Sequence, residues 1–266
     1  MSSSFLVPLR QRLADLGADG VVLAFSGGVD SAVLLAALVQ AVPVDQCLAV
    51  FFAGPSQTQT ELDFATNLAA NFGMELEIQS SDALLTDPHL RRNPQDRCYW
   101  CKRSLFATLK ETALSRGFRH VLDGTNADDA GHFRPGQQAL SELGILSPLK
   151  EFGMTKRDVR ELAQEICPQV ADKPAAPCLA TRFDYGTLLT AEAFRAVEEC
   201  EEALRTWGIH PVRLRVQGDL ARLEVPQTLF SLVLQRQFDI LALLKQHHFR
   251  FVTLDLEGLR SGCYDN

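Results

Sequence analysis

The chain has 266 residues and a formal net charge of −7, with 46% apolar and 22% charged residues. This composition is typical of a folded globular protein and excludes a disordered or fibrous chain. Since the negative charge gives no general attraction for nucleic acid or anionic lipid, we predict small-molecule substrates and neither a nucleic-acid nor a membrane partner. The longest apolar stretches are much shorter than the roughly 20 residues that span a bilayer. The N-terminal region resembles an amphipathic helix rather than a signal peptide, so we expect a cytoplasmic protein.

Short apolar runs alternate with helical stretches through the first two thirds of the chain. Strands are predicted at 21–25, 47–52, 75–79 and 119–123, and helices at 32–42, 58–72, 102–116 and 155–166. This alternation predicts an α/β fold with a doubly wound, mostly parallel sheet. Because ligands of such sheets bind at the carboxyl ends of the strands, we expect residues 26–31 and 123–129 to meet in one crevice.

A proline-rich segment at 173–178 interrupts this alternation and marks a domain junction. We predict a nucleotide-binding domain at 1–185 and a small α+β domain at 186–266 that binds substrate and supports oligomerisation. The elements predicted in the small domain are a helix at 191–206, a hairpin of strands 212–216 and 220–225, a helix at 227–247 and a strand at 251–256.

A glycine-containing loop with the sequence SGGVDS, residues 26–31, follows the first predicted strand. Its glycines allow the backbone N–H groups to approach a phosphate at the positive end of the helix that follows. The spacing differs from that of a Walker P-loop and from the GxGxxG fingerprint. Ser-Gly-Gly alone is compatible with an ordinary turn, but the whole hexapeptide resembles the PP-loop of the ATP pyrophosphatase superfamily. That resemblance implies ATP binding and transfer of AMP to a substrate oxygen.

The residues that we assign to ATP lie in the two segments expected at the crevice. Asp30 is a candidate Mg²⁺ ligand, and the hydroxyls of Ser26 and Ser31 are candidate phosphate donors. Among Glu198, Glu201 and Glu202 on one predicted helix, Glu201 is taken as a second candidate Mg²⁺ ligand, the others being expected as exposed surface charges. The full set is Ser26, Gly27, Gly28, Asp30, Ser31, Gly124, Thr125 and Asn126.

Four segments, spread over nearly the whole chain, together resemble the LarE family of ATP-dependent sulfur transferases: 26–31, 123–129 followed by 134–136, 177–182 and 255–262. The resemblance implies adenylation of a carboxylate on a pyridinium dicarboxylate mononucleotide, then formation of a thiocarboxylate for a nickel-pincer cofactor. It also implies a homo-oligomer, while the ultimate sulfur donor stays unidentified. His132 departs from the family pattern, which commonly has an acidic residue there, and receives no role.

Seven cysteines are read as thiols, ligands or nucleophiles in a reducing compartment. Cys178 is the candidate sulfur carrier and catalytic residue, because Arg182 is expected to lower the pKa of its thiol. In some LarE proteins the equivalent cysteine surrenders its own sulfur. The remaining cysteines outside the CxxC motif described next are expected to be packed apolar side chains: Cys47, Cys167, Cys200 and Cys263.

Cys98 and Cys101 form a CxxC motif at a predicted helix start. By itself the motif is compatible with a metal site, a redox dithiol or two packed cysteines. Other LarE-like proteins with three such cysteines are understood to carry a [4Fe-4S] cluster. By this resemblance, Cys98, Cys101 and Cys178 are candidate ligands of a cluster whose fourth iron binds a renewable sulfide.

Three arginines on the predicted hairpin, Arg213, Arg215 and Arg222, are candidate ligands for the phosphate and carboxylate groups of the substrate. An ordinary solvated sheet face is the alternative. Trp100 is a candidate for stacking on a pyridinium ring, with core packing as its alternative. Lys156 and Arg260 are further candidates for stabilising phosphate charge.

Three other functions share part of this pattern. A tRNA thiolase also combines a PP-loop with cysteines, but it requires a basic RNA-binding surface. A ligase that uses ammonia would not need the three cysteines. A non-catalytic ATP sensor would bind ATP without turnover. The acidic charge and the cysteine trio favour the sulfur transferase.

Overall fold

The computed structural model describes residues 3–131 and 135–260. Its contacts divide the chain into two compact units. The first contains residues up to 81 together with 96–176, and the second contains 82–95 together with the residues from 177 onward. His132 and Arg134, as well as the end of the last LarE-like segment at 261–262 and Cys263, lie outside the described residues.

The helices and strands follow the predicted order closely. In chain order they are α1 (Ser3–Gly17), β1 (Val21–Ala24), α2 (Val29–Ala41), β2 (Cys47–Ala53), α3 (Gln59–Asn71), β3 (Leu76–Ser80), α4 (Ala83–Thr86), α5 (Arg97–Ser115), β4 (His120–Leu122), α6 (Pro135–Glu142), α7 (Pro148–Glu151), α8 (Lys156–Ile166), α9 (Ala191–Thr206), β5 (Arg213–Gln217), β6 (Leu220–Glu224), α10 (Phe230–Gln235), α11 (Gln237–Gln246) and β7 (Phe251–Leu254).

A parallel sheet in the order β3-β2-β1-β4 forms the centre of the first unit. The central strands β1 and β2 are apolar on both faces because helices cover both. Leu23 and Ala49 share one core cluster with residues of α1, α2 and α8, whereas Val22 and Leu48 share another with residues of α5 and α6. The predicted doubly wound α/β fold is therefore confirmed.

The strand order reverses between β1 and β4, since β2 lies on one side of β1 and β4 on the other. At such a switch point the loops after the two strands diverge to opposite faces and leave a crevice. These loops are residues 25–28 and 123–126, so the fold brings together the two segments that the sequence predicted to meet.

The second unit contains a three-stranded sheet in the order β5-β6-β7. β5 and β6 form the predicted antiparallel hairpin, whose turn has Gly218 at φ +60°, and β7 pairs parallel to β6. The predicted helix at 227–247 is divided at Arg236 into α10 and α11. In the same unit, Phe194 on α9 packs against Phe183, with an edge-to-face contact of 5.5 Å between the ring centroids.

The division between the units falls after residue 176, ahead of the predicted boundary at 185, and the second unit also includes the segment at 82–95. The buried Asn93 side chain donates to the carbonyl oxygens of Phe183 and Asp184 at 3.1 and 2.8 Å. Asn93 has φ +50°, a left-handed conformation that asparagine tolerates better than most residues. Among the residues described, no helix is both long and apolar enough to cross a membrane.

Candidate active site

The loop between β1 and α2 is closed by the hydroxyl of Ser31. This buried side chain accepts from the N–H of Ser26 at 3.3 Å, contacts the Ser26 hydroxyl at 3.2 Å and donates to the carbonyl oxygen of Gly28 at 3.1 Å. Ser31 therefore shapes the loop, whereas Ser26 is exposed beside it. Gly27 has φ +69°, and an added Cβ there would lie 3.1 Å from the Cβ of Ala65, so the turn favours glycine.

Asp30 is the centre of a polar cluster that joins this loop to the one after β4. Its carboxylate accepts from Nδ2 of Asn126 at 3.0 Å and from Nζ of Lys156 at 2.5 Å. The loops touch closely: a Cβ added to Gly124 would lie 3.0 Å from the backbone nitrogen of Ser31. Asp30, Gly124 and Asn126 are thus brought together, and Lys156 joins them from the start of α8.

Side chains within residues 123–129 hold their own loop in place. Asp128 accepts from the N–H of Lys156 at 2.8 Å, and Asp129 accepts from the N–H of Asn126 at 3.1 Å. The buried Thr125 donates to Asp123 at 2.5 Å instead of facing an open site, and Ser147 donates to the other oxygen of Asp123, also at 2.5 Å. Thr125 therefore positions the loop through Asp123, while Asn126 reaches Asp30 directly.

Lys173 is a residue of this cluster that the sequence patterns did not indicate. Its ammonium donates to the carbonyl oxygen of Gly27 at 2.9 Å and lies 3.7 Å from the centroid of the Phe64 ring. Burial lowers the pKa of Lys173, and the carboxylate of Glu61 partly opposes that shift. The only local signal was a lysine before Pro174, and no local pattern connects that position with a glycine 146 residues earlier in the chain.

Cys98 and Cys101 lie in the first turn of α5, which begins five positions earlier than the predicted start at 102. Their spacing places both thiols on one face of the helix. Cys98 is exposed, Cys101 is partly exposed, and neither is in a disulfide. A guanidinium nitrogen of Arg97 lies 3.8 Å from Sγ of Cys98. The two thiols are accessible to a ligand or a reagent.

Trp100 lies between these cysteines and is 39% exposed. Its indole N–H donates to Asp96 at 2.8 Å, and its ring contacts Tyr99 edge-to-face at 5.0 Å and Arg103 at 5.4 Å. A hydrogen bond from Tyr99 to Glu142 at 2.7 Å raises the pKa of the tyrosine hydroxyl. Trp100 is thus an oriented surface aromatic residue rather than a core residue.

Three other cysteines are buried, as expected of packed apolar side chains. Burial raises the pKa of Cys47 to about 11. It raises the pKa of Cys167 and of Cys200 to about 12. Because the thiolate is the reactive form, these residues are unsuited to sulfur chemistry near neutral pH.

Arg182, in the second unit, is held by Glu201 rather than directed at an open thiol. Its guanidinium donates to both carboxylate oxygens, at 2.7 and 3.0 Å, and both side chains are almost fully buried. Glu201 also accepts from the N–H of Leu214 at 2.9 Å and from Arg205 at 3.1 Å. Four donors occupy the two oxygens of Glu201 in this structure, so its predicted role as a Mg²⁺ ligand would require one of them to be displaced.

The same guanidinium organises the loop that carries the partly exposed Cys178. Arg182 donates to the carbonyl oxygen of Pro177 at 3.3 Å and to the hydroxyl of Thr181 at 3.1 Å. The Thr181 hydroxyl donates in turn to the carbonyl oxygen of Cys178 at 2.8 Å. Arg182 therefore supports the backbone on both sides of Cys178, with its charge balanced by Glu201.

The hairpin arginines differ in their partners. Arg215 is buried and pairs with Glu224 at 3.0 Å, and Arg222 contacts Glu224 at 3.4 Å and Asp255 at 3.5 Å. Arg213 donates instead to a neutral acceptor, the carbonyl oxygen of Arg260, at 2.7 Å. Burial, together with the nearby charges of Arg182 and Arg215, lowers the pKa of Arg213.

Arg260 itself contacts two carboxylates, Asp255 at 3.5 Å and Glu257 at 2.6 Å. Glu202 pairs with Arg205 at 2.8 Å on the surface.

Within 3–131 and 135–260, no three His, Cys, Asp or Glu side chains are grouped so as to hold a metal ion.

Known proteins extend these observations. Residues 3–94 match the family model for NAD synthase, which belongs to the PP-loop superfamily. An uncharacterized protein of Synechocystis sp. is 38% identical over 264 residues, which cover 98% of this chain and 97% of the relative. The pyridinium-3,5-bisthiocarboxylic acid mononucleotide synthase of Lactiplantibacillus plantarum is 36% identical over 242 residues, 91% of this chain and 87% of that protein. The chain belongs to the LarE family.

A more distant relative, an uncharacterized protein of Methanocaldococcus jannaschii, is 30% identical over 241 residues, 91% of each chain. LarE membership confirms the resemblance inferred from the four motifs. As a LarE-family member the protein is an ATP-dependent sulfur transferase. The family uses ATP, and the loop at 26–31, which resembles a PP-loop, lies within the matched residues 3–94.

Proposed function

We propose that this LarE-family protein converts a carboxylate of a pyridinium dicarboxylate mononucleotide into a thiocarboxylate. A carboxylate oxygen attacks the α-phosphorus of ATP, the bond to the β-phosphate oxygen breaks, and pyrophosphate leaves. Sulfide then attacks the activated carbonyl carbon, the bond to the phosphate oxygen breaks, and AMP leaves with one proton released. The name of the relative from Lactiplantibacillus plantarum supports this substrate class.

The observation that carries the proposal is the polar cluster of Asp30, Asn126 and Lys156 at the carboxyl ends of β1 and β4. The backbone N–H groups of the PP-loop and the positive end of α2 would bind the phosphates. Lys156, 35% exposed, is close enough to the loop to stabilise charge that develops on them. The loop at 123–129 is fixed by its own hydrogen bonds, so Asn126 and Lys156 are already oriented toward Asp30.

Asp30 fits the role of a Mg²⁺ ligand. Mg²⁺ in nucleotide sites commonly uses one or two carboxylates, with phosphate oxygens and water completing the shell, so a three-residue protein cage is not required. The carboxylate of Asp30 is partly exposed and now balanced by Lys156. Mg²⁺, when bound, would neutralise phosphate charge, and Lys156 would then be released to contact a phosphate oxygen.

For the substrate, Arg213 is the favoured contact among the three hairpin arginines. It is half-buried and donates to a carbonyl oxygen, whereas Arg215 and Arg222 are balanced by Glu224 and Asp255. A phosphate or carboxylate would compensate the charge of Arg213 and its cationic neighbours. We therefore propose that Arg215 and Arg222 position the sheet and that Arg213 binds the anion. The partly exposed Trp100 remains the proposed platform for the pyridinium ring.

For the sulfur, we propose that Cys98, Cys101 and Cys178, which are not grouped as a metal site among the described residues, come together when a [4Fe-4S] cluster binds. All three thiols are reduced and at least partly exposed, in contrast to the buried Cys47, Cys167 and Cys200. Two of them share one helical turn, and thiolates are the ligands that iron-sulfur clusters require. The cluster, when bound, would supply a renewable sulfide, while Arg182 and Thr181 fix the backbone around Cys178.

Anaerobic reconstitution tests this proposal. We expect stoichiometric iron, acid-labile sulfide and a broad visible absorption in the wild type, and loss of all three in Cys98→Ser. Cys200→Ser is the matched control, since its thiol is buried and should leave the iron content unchanged. After turnover, the mass of the peptide with Cys178 should be unchanged. Loss of one H₂S from that peptide would instead show that Cys178 gives up its own sulfur.

We also propose that the protein forms a homo-oligomer. Exposed apolar side chains on α10 and α11 support this, because Leu234, Phe238 and Leu241 have exposed fractions of 59%, 77% and 38%.

A further inference from the structure

We propose that Lys173 supplies the positive charge that the PP-loop itself lacks, and that it binds the pyrophosphate portion of ATP. This inference rests on the proposed use of ATP and assigns a residue of that same site. A Walker P-loop carries its own lysine after the glycines. The hexapeptide at 26–31 contains no basic residue, so a cation for the phosphates has to come from elsewhere in the fold.

Within the part of the chain that the structure describes, Lys156 and Lys173 contact residues of this loop, and their partners differ. Lys156 lies 2.5 Å from Asp30, so its charge is balanced by a carboxylate. Lys173 donates to the carbonyl oxygen of Gly27, a neutral group, and lies over the Phe64 ring. The carboxylate of Glu61 is a nearby negative charge. A carbonyl dipole and an aromatic face stabilise an ammonium less than an ionised phosphate does. Lys173 therefore has more to gain from an incoming phosphate than Lys156.

The position of Lys173 is fixed by the neighbouring backbone. Arg160, on α8, donates to the carbonyl oxygen of Lys173 at 3.0 Å and also to that of Ala171. These bonds hold the segment before Pro174 against the first unit. The ammonium is partly buried, and its lowered pKa agrees with that environment. Because partial burial weakens screening by water, an ammonium here attracts a phosphate more strongly than one on the open surface does.

The contact with Gly27 gives Lys173 a second effect on the same loop. The Gly27 carbonyl and the Gly28 N–H belong to one peptide unit and point in opposite directions. An ammonium on the carbonyl oxygen polarises this unit and makes the Gly28 N–H a stronger donor. Gly28 now makes only a long contact of 3.4 Å to the Ser26 hydroxyl through this N–H, and a phosphate oxygen would be a better acceptor.

A series of three substitutions separates charge, hydrogen bonding and packing. Lys173→Arg keeps a charged donor, Lys173→Gln keeps a neutral donor, and Lys173→Met keeps only the apolar stem over Phe64. Binding of magnesium pyrophosphate and of AMP would be measured by calorimetry on the full chain. Lys110→Met is the matched control, since Lys110 also donates to a main-chain carbonyl, that of Leu143 at 2.8 Å, but on the exposed end of α5.

We expect Lys173→Met and Lys173→Gln to raise the Kd for pyrophosphate at least about tenfold, while Lys173→Arg and Lys110→Met stay within about threefold. AMP binding should change little in all four variants. Unchanged pyrophosphate binding in Lys173→Met and Lys173→Gln would overturn the inference, as would an equal loss of AMP and pyrophosphate binding. If the wild type bound neither ATP nor pyrophosphate, the proposed function itself would fail.

Discussion

Two ion pairs, one in each unit, use similar groups in opposite settings. Asp30 and Lys156 lie 2.5 Å apart with side chains 22% and 35% exposed, beside the loop that we propose binds ATP. Arg182 and Glu201 lie 2.7 Å apart with side chains 5% and 0% exposed, inside the second unit. A fully buried pair cannot exchange partners without leaving a charge in a dry environment. A partly exposed pair can do so at modest cost.

This difference in exposure suggests a way to distinguish ion pairs that stabilise the fold from ion pairs whose members could contact a ligand. The partners are 126 residues apart in the first pair and 19 in the second, and the two pairs differ clearly in exposure. A charged residue is a candidate for ligand binding when its ionic partner orients its side chain but is exposed enough to be replaced by the ligand. Asp30 and Lys156 meet that condition, whereas Glu201 does not.

The largest effect is expected from Glu201→Gln. Removing one charge of the buried pair leaves Arg182 uncompensated, and the free energy of unfolding should fall by about 3–5 kcal/mol. Urea unfolding of the purified protein measures this change. Glu202→Gln is the control, because Glu202 pairs with Arg205 on the surface and should change stability by less than about 1 kcal/mol. Equal effects of the two variants would remove the distinction between the pairs.

Asp30→Asn should lower activity strongly but change stability little, in contrast to Glu201→Gln. We expect kcat/KM for pyrophosphate release to fall by about 10²–10³-fold, because an oriented charge at the reacting phosphates is lost. The free energy of unfolding should change by less than about 1 kcal/mol, since the pair is partly exposed. A steady-state pyrophosphate assay and urea unfolding measure the two quantities.

Asp63→Asn on α3 provides the comparison for Asp30→Asn. Asp63 is also an exposed helix carboxylate, and it accepts from Gln59 at 2.7 Å. Its activity should match that of the wild type. A large loss of stability in Asp30→Asn with little change in activity would assign the open pair a structural role.

A smaller effect is expected from Gly124→Ala. The new Cβ would lie 3.0 Å from the backbone nitrogen of Ser31 and 3.3 Å from the Cβ of Asp30, so the two loops must separate slightly. We expect the KM for ATP to rise about tenfold, equivalent to about 1.4 kcal/mol. An unchanged KM would show that the close approach of the loops is not needed for binding.

The order of elements in the first unit was predictable because its strands are short, apolar and followed by helices. Val21 to Leu23 are fully buried on both faces, and such runs are typical of central parallel strands. The meeting of residues 26–31 with 123–129 followed from topology alone. The sequence predicts that α5 starts at 102, whereas the helix starts at Arg97. The prediction is late because the cysteine and aromatic residues around Trp100 have weak helix propensity.

The partners of charged residues were not predictable, because they depend on contacts between distant elements. Glu201 occupies an ordinary helical position, and only the structure shows that Arg182 reaches it. Likewise, nothing around Lys173 indicates a contact with Gly27. The LarE motifs contain both Asp30 and Arg182, but the motifs alone do not show that Arg182 is held in a buried ion pair while Asp30 is partly exposed.

The contact of Asn93 with Phe183 and Asp184 has a consequence for synthesis on the ribosome. Asn93 leaves the ribosome before its acceptors, which follow 90 and 91 residues later in the chain. At translation rates of about 5–20 residues per second, the segment at 82–95 waits for several seconds without its partners. The first unit is nearly complete by then, whereas the second can assemble only after the chain beyond 177 has emerged. The order of translation therefore favours an order of folding in which the unit that contains residues 26–31 forms first.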